Sequence, residues 1–299
     1  MSESGGSVPA PAGPVAVTGA LGFVAAHLVP RLLAGGSRVI GVARPGRDTT
    51  ALERLGVEVR RAQLSVPDGL ERAFAGAASV VHLAGMALVP GMIPALERCE
   101  VRRGVFVGST GIYTRLVSPG AEAKRIGESR LRDSGIAYVI LRPSMIYGTP
   151  RDRNLVRLLR WVRRVPLVPL PGGGSTLQQP VHVEDLCSAI LAGLERPLAA
   201  RRAYDVGGPE ALSLATLVRH SARAMGRAVW LLPLPLAPVH AAARAARTLR
   251  LPFPVSPEQV LRLRESKAVD ITAARADLEF DPRPFEEGIE AEARAVLAG

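Results

Sequence analysis

Residues 13–46, GPVAVTGALGFVAAHLVPRLLAGGSRVIGVARPG, decide the fold. A short run rich in β-branched residues breaks at Gly19 and Gly22. Beyond it, apolar residues recur at helical spacing until Gly35 and Gly36. A second apolar run, Arg38 to Val42, follows at once. Strand, turn, helix and strand in that order make a βαβ unit, and such units assemble into parallel sheets with helices on both faces.

The alternation continues downstream. The sequence predicts a short strand near residues 57–60, a helix from about Asp68 to Ala75 and a buried strand in SVVHLAG (79–85). A helix around residues 92–101 precedes GVFVGST (104–110). A further helix in SPGAEAKRIGESRL (118–131) leads into IAYVILRPSMIYG (136–148). Past Pro150 the texture changes to a basic helix, then a Pro/Gly loop, then mainly helical sequence rich in Pro and Arg. The expected organisation is a disordered leader over 1–13, a doubly wound parallel α/β domain over 14–150 and 181–207, and a smaller, mainly helical substrate domain over 151–180 and 208–299.

Bulk properties set limits on function. With 299 residues, 47% hydrophobic and 22% charged, the chain buries a full core. Its two cysteines, Cys99 and Cys187, lie far apart with no metal-ligand spacing, which fits a reducing compartment and argues against a disulfide. The start, MSESGGSVPAPAGP, has no basic region and no apolar core of a signal peptide, and no apolar run reaches the length of a membrane span. A soluble cytoplasmic protein with no membrane partner is expected; a homodimer is compatible with the sequence. The net charge of +11 raises nucleic acid as a partner, but the 38 basic residues form no stripe and are scattered among Ala, Gly, Pro and Leu, so nucleic-acid binding is not expected. Only Lys124 and Lys267 are lysines. Lys267 belongs to no motif and is expected to stand apart from any cofactor.

Gly19-x-x-Gly22-x-x-Ala25, set between a strand and a helix, is a dinucleotide-binding turn: its glycines let the backbone approach a pyrophosphate, whose charge then lies at the helix N-terminus. The end of the second strand selects the dinucleotide. An NAD site places Asp or Glu there for the ribose hydroxyls, whereas this chain has small Ala43 followed by Arg44 and Arg47, which suit a 2′-phosphate. NADP(H) is expected over NAD(H).

VTGALGFVA (17–25), VVHLAG (80–85), VGSTGIY (107–113), LRPSMIYG (141–148), QQPVHVEDL (178–186) and YDVGGPEALSL (204–214) together resemble the signposts of the extended and atypical short-chain dehydrogenase/reductases, the NAD-dependent epimerase/dehydratase group. The likeness covers nearly the whole chain after residue 13. It implies a Rossmann domain, a smaller substrate domain and a small-molecule substrate in the cleft between them. It also implies that Gly19, Leu21, Gly22 and Phe23 of the turn, Arg44 and Arg47, Leu83, Ala84 and Gly85, Lys124, and Pro143 hold the cofactor. Gln63, where the family often has an acidic residue, touches only the adenine pocket.

In that family a hydride moves to or from the nicotinamide while a tyrosine exchanges the proton. A lysine four residues on lowers the tyrosine pKa and holds the ribose, and a Ser or Thr hydrogen-bonds the reacting oxygen. Ser109 matches the hydroxyl and Lys124 the lysine, but Gly120 stands in the place of the tyrosine. Tyr138 and Tyr204 read as core. Tyr113 and Tyr147, at strand ends, are the candidates to replace the missing group, and Tyr147 is grouped with Ser109 and Lys124 as catalytic. A surface pairing of Lys124 with Glu128 at i,i+4 is the structural alternative for the lysine. His82 and His182 read as structural, and no histidine has a partner at metal spacing. Arg151, Arg153 and Asn154 at the cleft edge are compatible with a polar or anionic substrate such as a nucleotide sugar. The expected function is an NADP(H)-dependent oxidoreductase, epimerase or dehydratase with a non-standard proton donor. The alternative is a non-catalytic NADP(H)-binding sensor, scaffold or assembly protein.

Overall fold

The computed structural model describes residues 13–152, 155–249 and 257–298. The predicted disordered leader therefore lies almost wholly outside the described residues, as do Arg153 and Asn154. Six parallel strands succeed one another as β1 (Val15–Thr18), β2 (Val39–Ala43), β3 (Glu58–Arg61), β4 (Ser79–His82), β5 (Arg103–Val107) and β6 (Ala137–Pro143). Arg202–Val206 adds itself beside β6, so the sheet runs Arg202–Val206, β6, β5, β4, β1, β2, β3, parallel throughout. Between β1 and β4 the winding reverses, and ligands of such sheets bind in the crevice at the carboxyl ends of the strands there.

Strand alternation assigns side chains to the two faces. Val15, Val17, Val81, Val105, Val139 and Leu141 pack into one core with α1 (Phe23–Ala34) and the helix Val183–Glu195. Ala16, Val80, Phe106, Tyr138 and Ile140 pack into a second core on the opposite face. A third cluster, built on Leu155, Leu159, Val218, Phe285 and Ile289, forms the smaller lobe. One expected boundary differs. Within 208–299, Ile271, Ala274, Leu278 and Phe280 join the sheet's own core, and Tyr204 donates to Asp277 at 2.9 Å, so the helix Thr272–Leu278 belongs to the sheet side rather than to the helical lobe. The helix predicted around 92–101 runs Val89–Arg98, three residues earlier, because Pro90 suits a first helical turn. Among the described residues no helix is long and apolar enough to cross a membrane.

Candidate active site

The turn between β1 and α1 forms one wall of a groove of about 630 Å³. Gly19 sits at φ +67°, and a Cβ there would lie 3.1 Å from the backbone of Leu83 and Ala84, so only glycine lets the turn press against the end of β4. Gly22 caps α1 without a side-chain hydrogen bond, and no acidic residue occupies the first turn, so the helix presents unpaired N–H groups to the groove. Ala43, Arg44, Arg47, Gln63 and Ser65 line the far end. Arg44 and Arg47 are exposed, and neither guanidinium has a protein partner among the described residues. Arg61 braces their loop, donating to the Arg47 carbonyl at 3.0 Å and to Thr49 at 3.0 Å. An anion-receptive helix end beside two unpaired guanidinium groups fits a phosphorylated dinucleotide.

A second cavity, of about 780 Å³, begins where Phe23 turns away from the first and extends under the helix Pro119–Arg132. It brings together Ser109, Gly120, Lys124, Ser144 and Met145 with Arg262, Glu265 and Lys267 from late in the chain. Ser118 caps the helix by accepting from Ala121 N at 3.3 Å, with Pro119 at the first position. Gly120 and Lys124 follow one turn apart. A Cβ at Gly120 would meet nothing within 4 Å. Ser109 Oγ accepts from Gly111 N at 3.1 Å.

The alternative surface pairing of Lys124 with Glu128 does not form. Glu128 is buried, and its carboxylate takes Arg142 Nη2 at 2.6 Å and Nε at 3.0 Å. It prefers Arg142 because a buried carboxylate needs several donors, which a guanidinium supplies in a fixed fork and Lys124 does not. Lys124 therefore has no protein partner among the described residues.

Two expected tyrosines are otherwise employed. Tyr147, expected at the cleft and grouped with the catalytic residues, is fully buried in the helical lobe. Its ring packs edge-on against His182 and at a tilt against Phe285, and its hydroxyl donates to the Phe285 carbonyl at 3.5 Å. Met145 and Ile146, just before Tyr147, line the cavity instead. Tyr113 donates to Asp205 at 2.8 Å and accepts from Arg142 Nη1 at 2.8 Å. Burial and the Asp205 hydrogen bond push it up to about 12. Two expected cofactor residues also shift. Pro143 is buried, and Ser144 after it reaches the cavity. Gly85 does not line the groove, because its carbonyl accepts from His82 Nε2 at 2.9 Å while Leu83, Ala84 and Leu88 supply the wall.

His82 and His182 are structural, as read. His82 accepts from Thr18 Oγ1 at 2.8 Å through Nδ1, and burial lowers it to about 4. His182 caps the helix Val183–Glu195, and burial followed by the Arg283 charge lowers it to about 4. Among the described residues no group of His, Cys, Asp or Glu is placed to hold a metal ion.

Sequence reasoning missed the late-chain residues that line the cavity with Gly120. Lys267, expected to stand apart, lines the same cavity as Lys124. It is held there by Lys267 N donating to Leu177 O at 2.8 Å, and its neighbour Glu265 clasps the loop after Ser109 through Thr114 Oγ1 at 2.7 Å and Arg115 N at 2.8 Å. The available signal was composition: in a chain that writes arginine almost everywhere, both lysines face one cleft.

Residues 19–160 match the NAD(P)H-binding family. The NADH dehydrogenase [ubiquinone] 1 alpha subcomplex subunit 9 of Arabidopsis thaliana mitochondria is 28% identical over 85% of this chain and 68% of its own length. The ceramide reductase of Caulobacter vibrioides is 29% identical over 75% of this chain and 74% of its own length. The solved UDP-glucuronic acid 4-epimerase of Bacillus cereus, in complex with UDP-glucuronic acid and NAD, superposes with a TM-score of 0.73 over 95% of this chain and 99% of that one, at 19% identity, and shares the fold.

Proposed function

We infer that this chain, which carries an NAD(P)-binding Rossmann domain of the epimerase/dehydratase and short-chain dehydrogenase superfamily, is an NADPH-dependent oxidoreductase that works without the family's tyrosine. One observation carries this reading. The groove with Arg44 and Arg47 and the cavity with Ser109, Gly120 and Lys124 adjoin at the start of α1, where Gly22 lines the first and Phe23 the second. A bound nicotinamide dinucleotide would supply hydride chemistry there. Arg44, with Arg47 behind it, holds the 2′-phosphate through charge-assisted hydrogen bonds, and Ala43 leaves no carboxylate for a free ribose diol.

In the cavity, Lys124 binds the nicotinamide ribose and Ser109 orders the reacting oxygen. Gly120 occupies the tyrosine's place and leaves room for a substrate wider than the usual one. Loss of a positioned general acid costs roughly 10²- to 10⁴-fold, which orientation of the reactants, worth about 7–11 kcal/mol, can exceed. The substrate is a polar small molecule held between the sheet and the helical lobe. The second reading, a cofactor-holding assembly subunit, is favoured by the likeness to a subunit of a larger complex.

Calorimetry with NADPH and NADH tests the cofactor assignment. NADPH is expected to bind more tightly, and Arg44→Asp is expected to weaken NADPH by about tenfold or more, equivalent to about 1.4 kcal/mol after allowance for an exposed guanidinium, while sparing NADH. Equal affinities that the substitution leaves unchanged refute it. NADPH consumption against a panel of aldehydes, ketones, enones and nucleotide sugars then separates the two readings.

A further inference from the structure

We propose that Lys267, which lines the same cavity as Gly120, is the proton donor of the cleft in place of the missing tyrosine; this rests on the reductase reading above. The proton-bearing groups of the cavity can be eliminated in turn. Tyr113 is held between Asp205 and Arg142. Thr114 donates to Glu265, and Glu265 accepts from both Thr114 and Arg115. Arg262 donates to Ser118 at 3.3 Å, and a guanidinium does not give up a proton at working pH. Asp152 caps the helix Leu155–Arg164 by accepting from Leu155 N at 2.9 Å. Ser109 is a hydroxyl that orders rather than acidifies, and Lys124 lies one helical turn from Gly120, where the ribose is read to sit.

Lys267 remains. It lines both the 780 Å³ cavity and the adjoining 650 Å³ pocket under Tyr113, and its side chain has no protein partner among the described residues. Its backbone is tethered to Leu177 and Gln178, so the side chain rises from a fixed base. The charged groups around it are Arg115, Arg262, Arg264, Lys124 and Arg151 against Glu265 and Asp152, a net positive surround. Lys267 is an exposed residue at the mouth of the cleft, and desolvation by its neighbours, then the Arg262 charge, lower its pKa from the ordinary lysine value. A lowered pKa makes the ammonium a readier proton donor than an ordinary lysine.

The step balances. As a hydride adds to a carbonyl carbon, the π pair moves onto oxygen. That oxygen takes a proton from the Lys267 ammonium, so an N–H bond breaks and an O–H bond forms. The neutral amine regains its proton from water, the carbonyl is reduced to an alcohol, and the dinucleotide is the reductant.

The chain's two lysines make the test direct. Both are ¹³C-dimethylated, assigned with Lys124→Arg and Lys267→Arg, and titrated by NMR in the full protein with and without NADPH. In parallel, NADPH affinity and the pH profile of carbonyl reduction are compared for wild type, Lys267→Met and Lys267→Arg. The expected result is a Lys267 resonance titrating below 10.5. The NADPH Kd should be unchanged in both variants, and reduction should fall by about 10²- to 10⁴-fold, with loss of the alkaline limb of the profile. If wild type reduces a carbonyl and both Lys267 variants match its rate and profile, the donor role is overturned while the reductase reading stands. If wild type binds NADPH and reduces nothing, both fall.

Discussion

Replacing Arg142 with alanine should cost the fold about 3–5 kcal/mol, the range for removing one partner of a buried ion pair. Glu128 and Arg142 expose only 3% and 12% of their side chains, and the guanidinium meets both carboxylate oxygens, Nη2 on Oε2 at 2.6 Å and Nε on Oε1 at 3.0 Å. Once Arg142 is gone, Glu128 keeps only Arg132, a half-exposed partner at 3.3 Å worth about 0.3–0.5 kcal/mol. The Tyr113 hydroxyl also loses its donor, a further ~1 kcal/mol. Glu128→Ala alone should cost less, because Arg142 retains Asp205 at 3.8 Å and a route to solvent. The double variant should lose much less than the sum, leaving a coupling of about 2 kcal/mol or more. Urea unfolding of the four proteins at pH 7 measures the cycle, and thermal unfolding should fall by about 5–15 °C in Arg142→Ala. Additive single losses, or an Arg142→Ala loss under about 1 kcal/mol, would refute the view that this pair fastens the Lys124 helix to β6.

Lys124→Ala should weaken NADPH binding about tenfold by calorimetry, and Lys124→Arg should not restore it fully, because a planar guanidinium does not replace a compact ammonium at a ribose; an unchanged Kd would return Lys124 to the helix surface. Burial, then the hydrogen bond and charge of Asp152, raise Glu292 to about 9, so the folded protein holds a proton that the unfolded chain releases above its ordinary value of 4.5. The stability tied to that group is therefore whole below about pH 4.5 and is lost as pH rises toward 9. Glu292→Gln, which copies the neutral acid, should be more stable than wild type at pH 8 and show a flatter slope between pH 5 and 8 in urea unfolding; equal slopes would count against it.

By itself the sequence determined what is local or periodic. The β1–turn–α1–β2 unit was legible because glycine placement and the change from strand to helical spacing are properties of neighbouring residues, and the parallel sheet followed from repeating that unit. Ser109, Gly120 and Lys124 were legible as a group because two of them share one helix turn and the third lies two residues past the end of the strand before it. The tertiary structure decided the rest. Whether Tyr147 faces the cleft or the helical core depends on where Phe285 and His182 pack, far along the chain, and the apolar packing there buries the ring. Glu128 went to Arg142 rather than Lys124 because burial demands a forked donor, which spacing along a helix does not reveal. Arg262, Glu265 and Lys267 reach the cleft only because the chain returns to it, bringing residues more than a hundred positions from Gly120 into the same cavity. Local pattern places the glycine turn and its helix, whereas the rest of the cleft is assembled by long-range packing.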